Sequence, residues 1–474
     1  MKNLIFCTDS YKYSHYKQYP PNTIHISAYI ESRGGEDETV FFGLQAFLKE
    51  YLSEPITLKD VDEAEKLVTE HGLPFNRQSW IDIVNDYDGY LPLLIKAVKE
   101  GTVLEPNNVQ VQIENIDPRF YWLPSFIETS LLRAIWYPST VATKSRKIKK
   151  IIIDALNRTS DIPAKDTIYF KLHDFGARGA SSSETAMLGG MGHLVNFKGT
   201  DTIEAIVGVK RYYGSEEIAG YSIPASEHST ITSWGRDHEY LAFKNMIESF
   251  GGEGKIYACV SDSYNIYDSI YKWKNLESLI KEKGGTLVIR PDSGDPLTVP
   301  IELLNIMGEC FGYTVNNKGY KVLPDHIRLI QGDGINEYSL PKLIENVIEA
   351  GFSIDNIAFG MGGGLLQHWD RDTLKYAMKT SAIITKDNYV WRDVFKDPIH
   401  AGKKSKKGRL FLLNKPLVNE ENVLSRTTRE DDPRLYVEST LIEENLLKPV
   451  YYSGKILSDQ TFDEIRELSE KDMF

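Results

Sequence analysis

Cysteine is scarce in this chain, and its scarcity removes several readings at once. Cys7, Cys259 and Cys310 lie far apart and form neither a C-x-x-C pair nor a zinc spacing. A disulfide scaffold is therefore not expected, and a reducing compartment, the cytoplasm, is. Long apolar runs are missing too. No stretch approaches the roughly 18 apolar residues of a membrane span. The opening MKNLIFCTDSYKYSHY turns polar too early for a signal peptide. Positive charge is in deficit: 55 Lys and Arg against 67 Asp and Glu give a formal net charge of −12. That argues against a general nucleic-acid binder.

Several functional motifs are also absent. There is no G-x-x-x-x-G-K-[ST] loop, no H-E-x-x-H and no G-x-S-x-G, so a Walker nucleotide site, a zinc peptidase and an α/β-hydrolase lack support. A Rossmann G-x-G-x-x-G beginning at Gly360 would need glycine where Leu365 stands. The acidic loop of the common phosphoribosyltransferases, two acids followed by T-G-x-T, does not occur.

What is present is a long chain of 474 residues with 41% hydrophobic and 26% charged content, enough for two or three domains or one large barrel with additions. It reads as three regions: a mixed region over 1–150, an alternating region over 151–385 and a C-terminal segment over 386–474. In the first, "IHISAYIES" alternates as a strand, and "LKDVDEAEKLVTEHG" has helical spacing with a stop at His71-Gly72. "TSLLRAIWYPSTVATKSRKIKKIIIDAL" predicts a long helix broken or kinked at Pro138. In the second, "IEAIVGV", "KIYACVSD", "TLVIRPD", "IRLIQGD" and "NIAFGMG" read as strands buried on both faces, separated by helical stretches. Repeated strand–helix units imply a parallel sheet, open or closed.

Three of these strands run into an aspartate: Asp262, Asp292 and Asp333. A fourth runs into the glycines of "NIAFGMGGGLLQHWDRD". Ligands of parallel α/β sheets bind at the C-terminal strand ends. Three aspartates at one edge therefore predict a polar mouth rather than three helix caps. The strand, glycine turn and helix favour a phosphate, with Arg371 as an added charge; tight structural packing is the competing explanation. Near them, "KLHDFGARG" groups His173, Asp174, Phe175 and Arg178, a ring and a cation suited to a planar ligand beside an anion. "NFKGTDT" offers Asp201. "YSIPASEHSTITSWG" offers Ser222 and His228, the histidine opening a predicted helix. "GKKSKKGR" carries five positive charges in an acidic chain.

Taken together, "TDSYKYSHYKQYPPNT", "KLHDFGARG", "NFKGTDT", "YSIPASEHSTITSWG", "VSDSYNIYD", "IRPDSGDP", "IQGDG", "FGMGGGLLQ" and "FKDP…SKKGRL" resemble the nicotinamide phosphoribosyltransferase family, in order from residue 8 to about 410. "TFDEIRE" extends the match. The resemblance implies an irregular α/β barrel of the type II phosphoribosyltransferase kind with added N- and C-terminal α+β segments. It implies formation of nicotinamide mononucleotide and pyrophosphate from nicotinamide and phosphoribosyl pyrophosphate, in a homodimer with two sites at its interface. By the same resemblance Phe175 stacks on nicotinamide, opposite Tyr11 of the other subunit, and Asp201 accepts from the amide. Ser222 lies in a matching motif and Asp262 matches an acidic position near the site. Arg178, Arg290, Asp292, Gly332, Asp333, Gly363 and Arg371 match the ribose and phosphate surroundings. Arg33, Lys379, Lys396 and Lys403 match cations near the phosphates. His228 matches a histidine phosphorylated by ATP, with hydrolysis coupled to turnover rather than strictly required. Mg²⁺ accompanies the pyrophosphate; no residue is assigned to hold it. Met361, Ala377 and Ala177 depart from the residue types expected there, and the Gly34–Glu38 segment is short. A nicotinate phosphoribosyltransferase and a non-catalytic binder on the same fold remain the alternatives.

Overall fold

The computed structural model describes residues 3–215, 217–398, 404–418, 424–432 and 445–474. The chain divides into two compact units. The first comprises Met1–Thr143, Lys210–Gly214 and Trp369–Ser469; the second comprises Lys144–Val209, Ser215–His368 and Glu470–Phe474. This redraws the three-part division expected from sequence. The segment after 386 does not stand alone, because Lys448–Tyr452 pairs with Leu93–Ala97 in the first unit's sheet.

That sheet has seven strands in the order Arg392–Asp393, Ala377–Thr385, Thr23–Glu31, Val109–Asn115, Leu93–Ala97, Lys448–Tyr452 and Lys455–Ile456. Every pairing in it is antiparallel. Its largely aliphatic core includes an aromatic cluster: Trp80 lies edge-on to Trp122 and Phe126, at 5.0 and 5.1 Å between ring centroids. The helix expected over "LKDVDEAEKLVTEHG" spans Leu58–Glu70, opened by a Thr57–Asp60 capping box and ended at His71. The long helix is continuous from Glu128 to Thr159 with Pro138 inside it, so of the break or kink expected at Pro138 the break does not occur. Proline removes the N–H that would bond the Ala134 carbonyl. That carbonyl faces Gly43, where a Cβ would stand 2.5 Å from the oxygen. One turn on, Ser139 Oγ accepts from Phe42 N at 3.0 Å and donates to its carbonyl at 2.9 Å, tying the helix to the neighbouring chain.

The second unit carries a six-stranded sheet in the order Gly199–Thr200, Leu172–Asp174, Ile357–Met361, Ile327–Gln331, Thr286–Arg290 and Ile256–Val260. All its pairings are parallel. The four long strands are those read from apolar runs. The segment Tyr221–Ser226 joins both edges. Thr200 N donates to the Tyr221 carbonyl at 3.0 Å on one side, and Ala258 N donates to the Pro224 carbonyl at 2.9 Å on the other. Bridges at Tyr221 and Ala225 mark the same closure. The sheet is therefore a closed but irregular barrel, with one stave made of loop. Its interior holds a small apolar layer of Ala258, Val288 and Ile330, with Phe175, Ile223 and Ala358 against it.

One expected strand is a helix. "IEAIVGV" lies in Ile203–Tyr212. Its buried residues Ala205, Gly208 and Val209 fall at helical spacing, while Ile203 and Val207 are exposed. The real strand there is Gly199–Thr200, two residues with no apolar signature.

Candidate active site

The parallel barrel sends its C-terminal strand ends to one mouth. Val260 precedes Asp262, Arg290 precedes Asp292, Gln331 precedes Gly332 and Asp333, and Met361 precedes Gly363. Asp174 ends the strand before Phe175 and Arg178, and Thr200 ends the strand before Asp201. The polar mouth expected from three strand-end aspartates is present, with Asp201 and Ser222 added to it.

Two carboxylate–histidine pairs sit there. Asp201 Oδ1 is 2.9 Å from His173 Nε2 and accepts from Ser222 Oγ at 2.6 Å. Burial alone would raise this carboxyl. The bonds from His173 and Ser222 and the charge of Arg290 outweigh burial and hold it below the usual carboxylate range. In the second pair, His228 Nε2 is 2.9 Å from Asp262 Oδ1, and its Nδ1 is 3.7 Å from Asp292 Oδ2. Asp262 Oδ2 accepts from Asp292 N at 2.9 Å and from Ser293 Oγ at 2.5 Å. Here too burial raises the carboxyl, and the Ser293, His228 and Asp292 bonds override it to depress the pKa. His228 is the first residue of the helix His228–Thr232, as its position in the sequence suggested.

Arg290 is mostly buried, 3.7 Å from Asp292 Oδ2, and among the described residues its Nε has no hydrogen-bond partner. A buried guanidinium nitrogen left without an acceptor is costly and fits an anionic ligand. Phe175 is half-buried, its N–H bonded to the Met361 carbonyl at 2.9 Å and its ring 5.1 Å from that of His173. Arg178 is exposed on the short turn Ala177–Gly179, and Asp333 is exposed after its strand. Gly363 opens a helix of only four residues, Gly363–Leu366, and is exposed. Of its neighbours, Gly364 backs onto the Ile335 carbonyl and Gly360 onto the Phe175 ring. Much of the glycine cluster is thus accounted for by packing.

Three supporting residues carry no assigned role in the sequence reading. His173 and Ser293 hold the two carboxylates. Buried Asp174 accepts from Gly176 N at 2.7 Å, Thr202 Oγ1 at 2.7 Å and Thr200 Oγ1 at 3.3 Å, which fixes the turns on both sides of the first pair. His173 and Asp174 stand inside "KLHDFGARG", but their partners are about 28 residues away and no spacing rule connects them.

The remaining candidates belong to the first unit. Arg33 follows the Thr23–Glu31 strand, and Lys379 lies opposite Tyr29 on the adjoining strand. Arg33 Nε donates to Glu31 Oε1 at 2.7 Å. Burial, followed by the charges of Arg33, Arg371 and Lys12, lowers the Lys379 pKa against the pull of Glu128. These cations therefore share one neighbourhood, although Arg371 also pairs with Asp372 at 2.7 Å. Tyr11 is exposed, edge-on to His15 at 4.8 Å. Lys396 is tied by its backbone to Ser405, N to Oγ at 2.8 Å. Lys403 lies outside the described residues.

Among the described residues no three His, Cys, Asp or Glu side chains converge as a metal cage, and no helix is long and apolar enough to cross a membrane.

A closed parallel barrel with this mouth defines the class: the fold is that of the type II phosphoribosyltransferases. It matches the solved nicotinate-nucleotide pyrophosphorylase of Pyrococcus furiosus with a TM-score of 0.61 at 15% identity, covering 99% of this chain and 95% of that one. It matches human nicotinic acid phosphoribosyltransferase with a TM-score of 0.59 at 15% identity, covering 98% and 93%. The chain belongs to the nicotinate phosphoribosyltransferase (NAPRTase) family, whose model matches residues 170–451, and residues 3–95 match the N-terminal domain model of nicotinamide phosphoribosyltransferase. The chain is 49% identical to the nicotinamide phosphoribosyltransferase of Xanthomonas campestris pv. campestris over 98% of both chains. It is 31% identical to that of Mycoplasma genitalium, over 86% of this chain and 95% of the relative.

Proposed function

We propose that the chain is a nicotinamide phosphoribosyltransferase, joining nicotinamide to phosphoribosyl pyrophosphate to give nicotinamide mononucleotide and pyrophosphate, a step of NAD salvage. The observation that carries the substrate choice is Asp201. Both of its donors, His173 and Ser222, bond Oδ1. Oδ2 is left to accept from an amide NH2. A carboxylate that attracts an amide repels nicotinate's carboxylate, so the charge discriminates as well as binds.

The chemistry asks little of acids or bases. The pyridine nitrogen already has a free lone pair. It forms the bond to the anomeric carbon as the bond to pyrophosphate breaks and the pair leaves with pyrophosphate. The site's work is to position the two reactants and neutralise the leaving group. Phe175 supplies a flat surface for the pyridine ring. Arg290 offers its unpaired nitrogen to a phosphate or ribose oxygen, with Arg178 at the rim. Half-buried Asp292 and exposed Asp333 are the carboxylates that would hold Mg²⁺, beside substrate phosphate oxygens and water. Bound there, it neutralises pyrophosphate charge. In a homodimer, Tyr11 of a second copy covers the other face of the pyridine, and the Arg33, Lys379 and Arg371 group meets phosphate; Lys396 and Lys403 are the further cations that the resemblance assigns there.

His228 is the acceptor of a phosphoryl group from ATP. With Nε2–H donated to Asp262, the lone pair resides on Nδ1, which is then the nucleophile. The Nδ1–phosphorus bond forms as the bond to ADP breaks.

The test is product formation from nicotinamide and phosphoribosyl pyrophosphate with Mg²⁺, with and without ATP, beside a nicotinate control. Nicotinamide mononucleotide formed faster with ATP supports the reading. Product from nicotinate alone overturns the substrate assignment, and a rate indifferent to ATP overturns the role of His228.

A further inference from the structure

The glycines at two barrel strand ends have a neighbour in common. A Cβ placed on Gly360 would lie 2.0 Å from Phe175 Cε2, 2.5 Å from Cδ2 and 2.8 Å from Cζ. A Cβ on Gly332 would lie 2.9 Å from Cε2 and 3.3 Å from Cδ2. Gly332 follows one strand and Gly360 is in the next, and the built Gly332 Cβ is 4.0 Å from the Gly360 Cα. Neither glycine has the positive φ that would itself demand glycine. What they provide is space. One edge of the Phe175 ring occupies the volume two side chains would fill, and the ring is pinned from the backbone side by the Phe175 N–H bond to the Met361 carbonyl at 2.9 Å. The apolar layer of Ala258, Val288 and Ile330 lies below.

We infer that Gly360 and Gly332 are positioning residues: together they form a slot that seats the Phe175 ring and so sets the surface offered to the pyridine. The functional half of this rests on the reading that Phe175 stacks on nicotinamide. The slot itself does not. The inference also accounts for a glycine of the "FGMGGG" cluster without a phosphate, since Gly360 faces a ring.

The experiment is a double-mutant cycle on the full chain. Gly360→Ala and Gly332→Ala are each made in the natural background and in Phe175→Ala. The readouts are melting temperature and KM for nicotinamide. In the natural background Gly360→Ala lowers Tm by about 5 °C and raises KM about three- to tenfold. Gly332→Ala, whose clash is milder, shifts both less and serves if the first variant does not fold. In the Phe175→Ala background both penalties vanish, because the colliding ring is gone. A mere loss of folded enzyme lowers the active fraction and leaves KM where it was. Penalties of equal size in both backgrounds overturn the slot, as does a Gly360→Ala enzyme with unchanged Tm and KM. If Phe175→Ala alone leaves KM unchanged, the stacking reading fails, and the Tm cycle still decides the slot.

Discussion

The mouth of the barrel contains the same pair twice, used in opposite senses. His173 and Asp201 are 2.9 Å apart, and so are His228 and Asp262. In the first pair the histidine is sheltered, its side chain 14% exposed, and the carboxylate faces out at 47%. In the second the carboxylate is sheltered at 3% and the histidine faces out at 45%. The sheltered member orients and sets charge; the exposed member is what a ligand meets. In the proposed function one pair therefore presents an anionic acceptor and the other an imidazole nitrogen as nucleophile. Exchanging which partner lies inside is enough to change the chemistry of an identical contact.

The comparison breaks most visibly at its exposed members. Asp201→Ala removes the acceptor and is expected to lower kcat/KM for nicotinamide on the order of 100-fold, the loss of a charge-assisted hydrogen bond. The nicotinate rate does not fall with it, so the ratio of the two substrates is the diagnostic measurement. An equal fall for both would show that Asp201 is structural. Next comes the sheltered acid of the other pair. In Asp262→Asn the amide can donate to Nε2, which moves the proton to Nδ1 and removes the nucleophilic lone pair. The ATP-stimulated part of the rate is expected to drop about tenfold or more, with the ATP-free rate little changed. Phosphohistidine labelling from radiolabelled ATP reads the same loss directly. A smaller effect follows from Ser222→Ala. It takes one donor from Asp201 while His173 remains, so kcat/KM for nicotinamide falls about threefold, discounted because the pair is partly exposed.

The sequence reveals the mouth more readily than what holds it. Buried parallel strands read as short apolar runs, and aspartates after them mark one edge, so Asp262, Asp292 and Asp333 were legible. The Ile203–Val209 run deceived because its apolar residues are continuous in sequence while only a helical subset is buried. Gly199–Thr200 and the Tyr221–Ser226 stave escaped notice because backbone bonds, not side chains, make them part of the barrel. The pairing of His173 with Asp201 and of His228 with Asp262 bridges about 28 and 34 residues, and only the closed fold supplies the link. The glycine cluster was legible as tight packing or a ligand approach, but not as a seat for a ring from another strand.

A third histidine sharpens the comparison: among the described residues no carboxylate is hydrogen-bonded to it, and the nearby Asp174 charge only partly offsets its burial. His193 is fully buried, stacked on Phe197 at 5.2 Å, and hydrogen-bonded to Ser145 Oγ at 3.2 Å and the Gly199 carbonyl at 3.1 Å. Burial pushes its pKa down to about 4. In the unfolded chain it titrates near 6.5, so between these values the unfolded state binds the extra proton and the fold does not. The sign follows: stability is complete above about pH 6.5 and is lost as pH falls toward 4, by up to about 3 kcal/mol in all. At neutral pH the contribution is nil, which makes it the smallest effect under working conditions. His193→Gln, which keeps a donor and an acceptor but cannot take the charge, is expected to flatten the fall in stability across this window. Denaturant midpoints at pH 7, 6, 5 and 4.5 measure it. Parallel curves for the two proteins would mean that His193 charges in place, and that a histidine here needs neither a hydrogen-bonded carboxylate nor exposure to hold a proton.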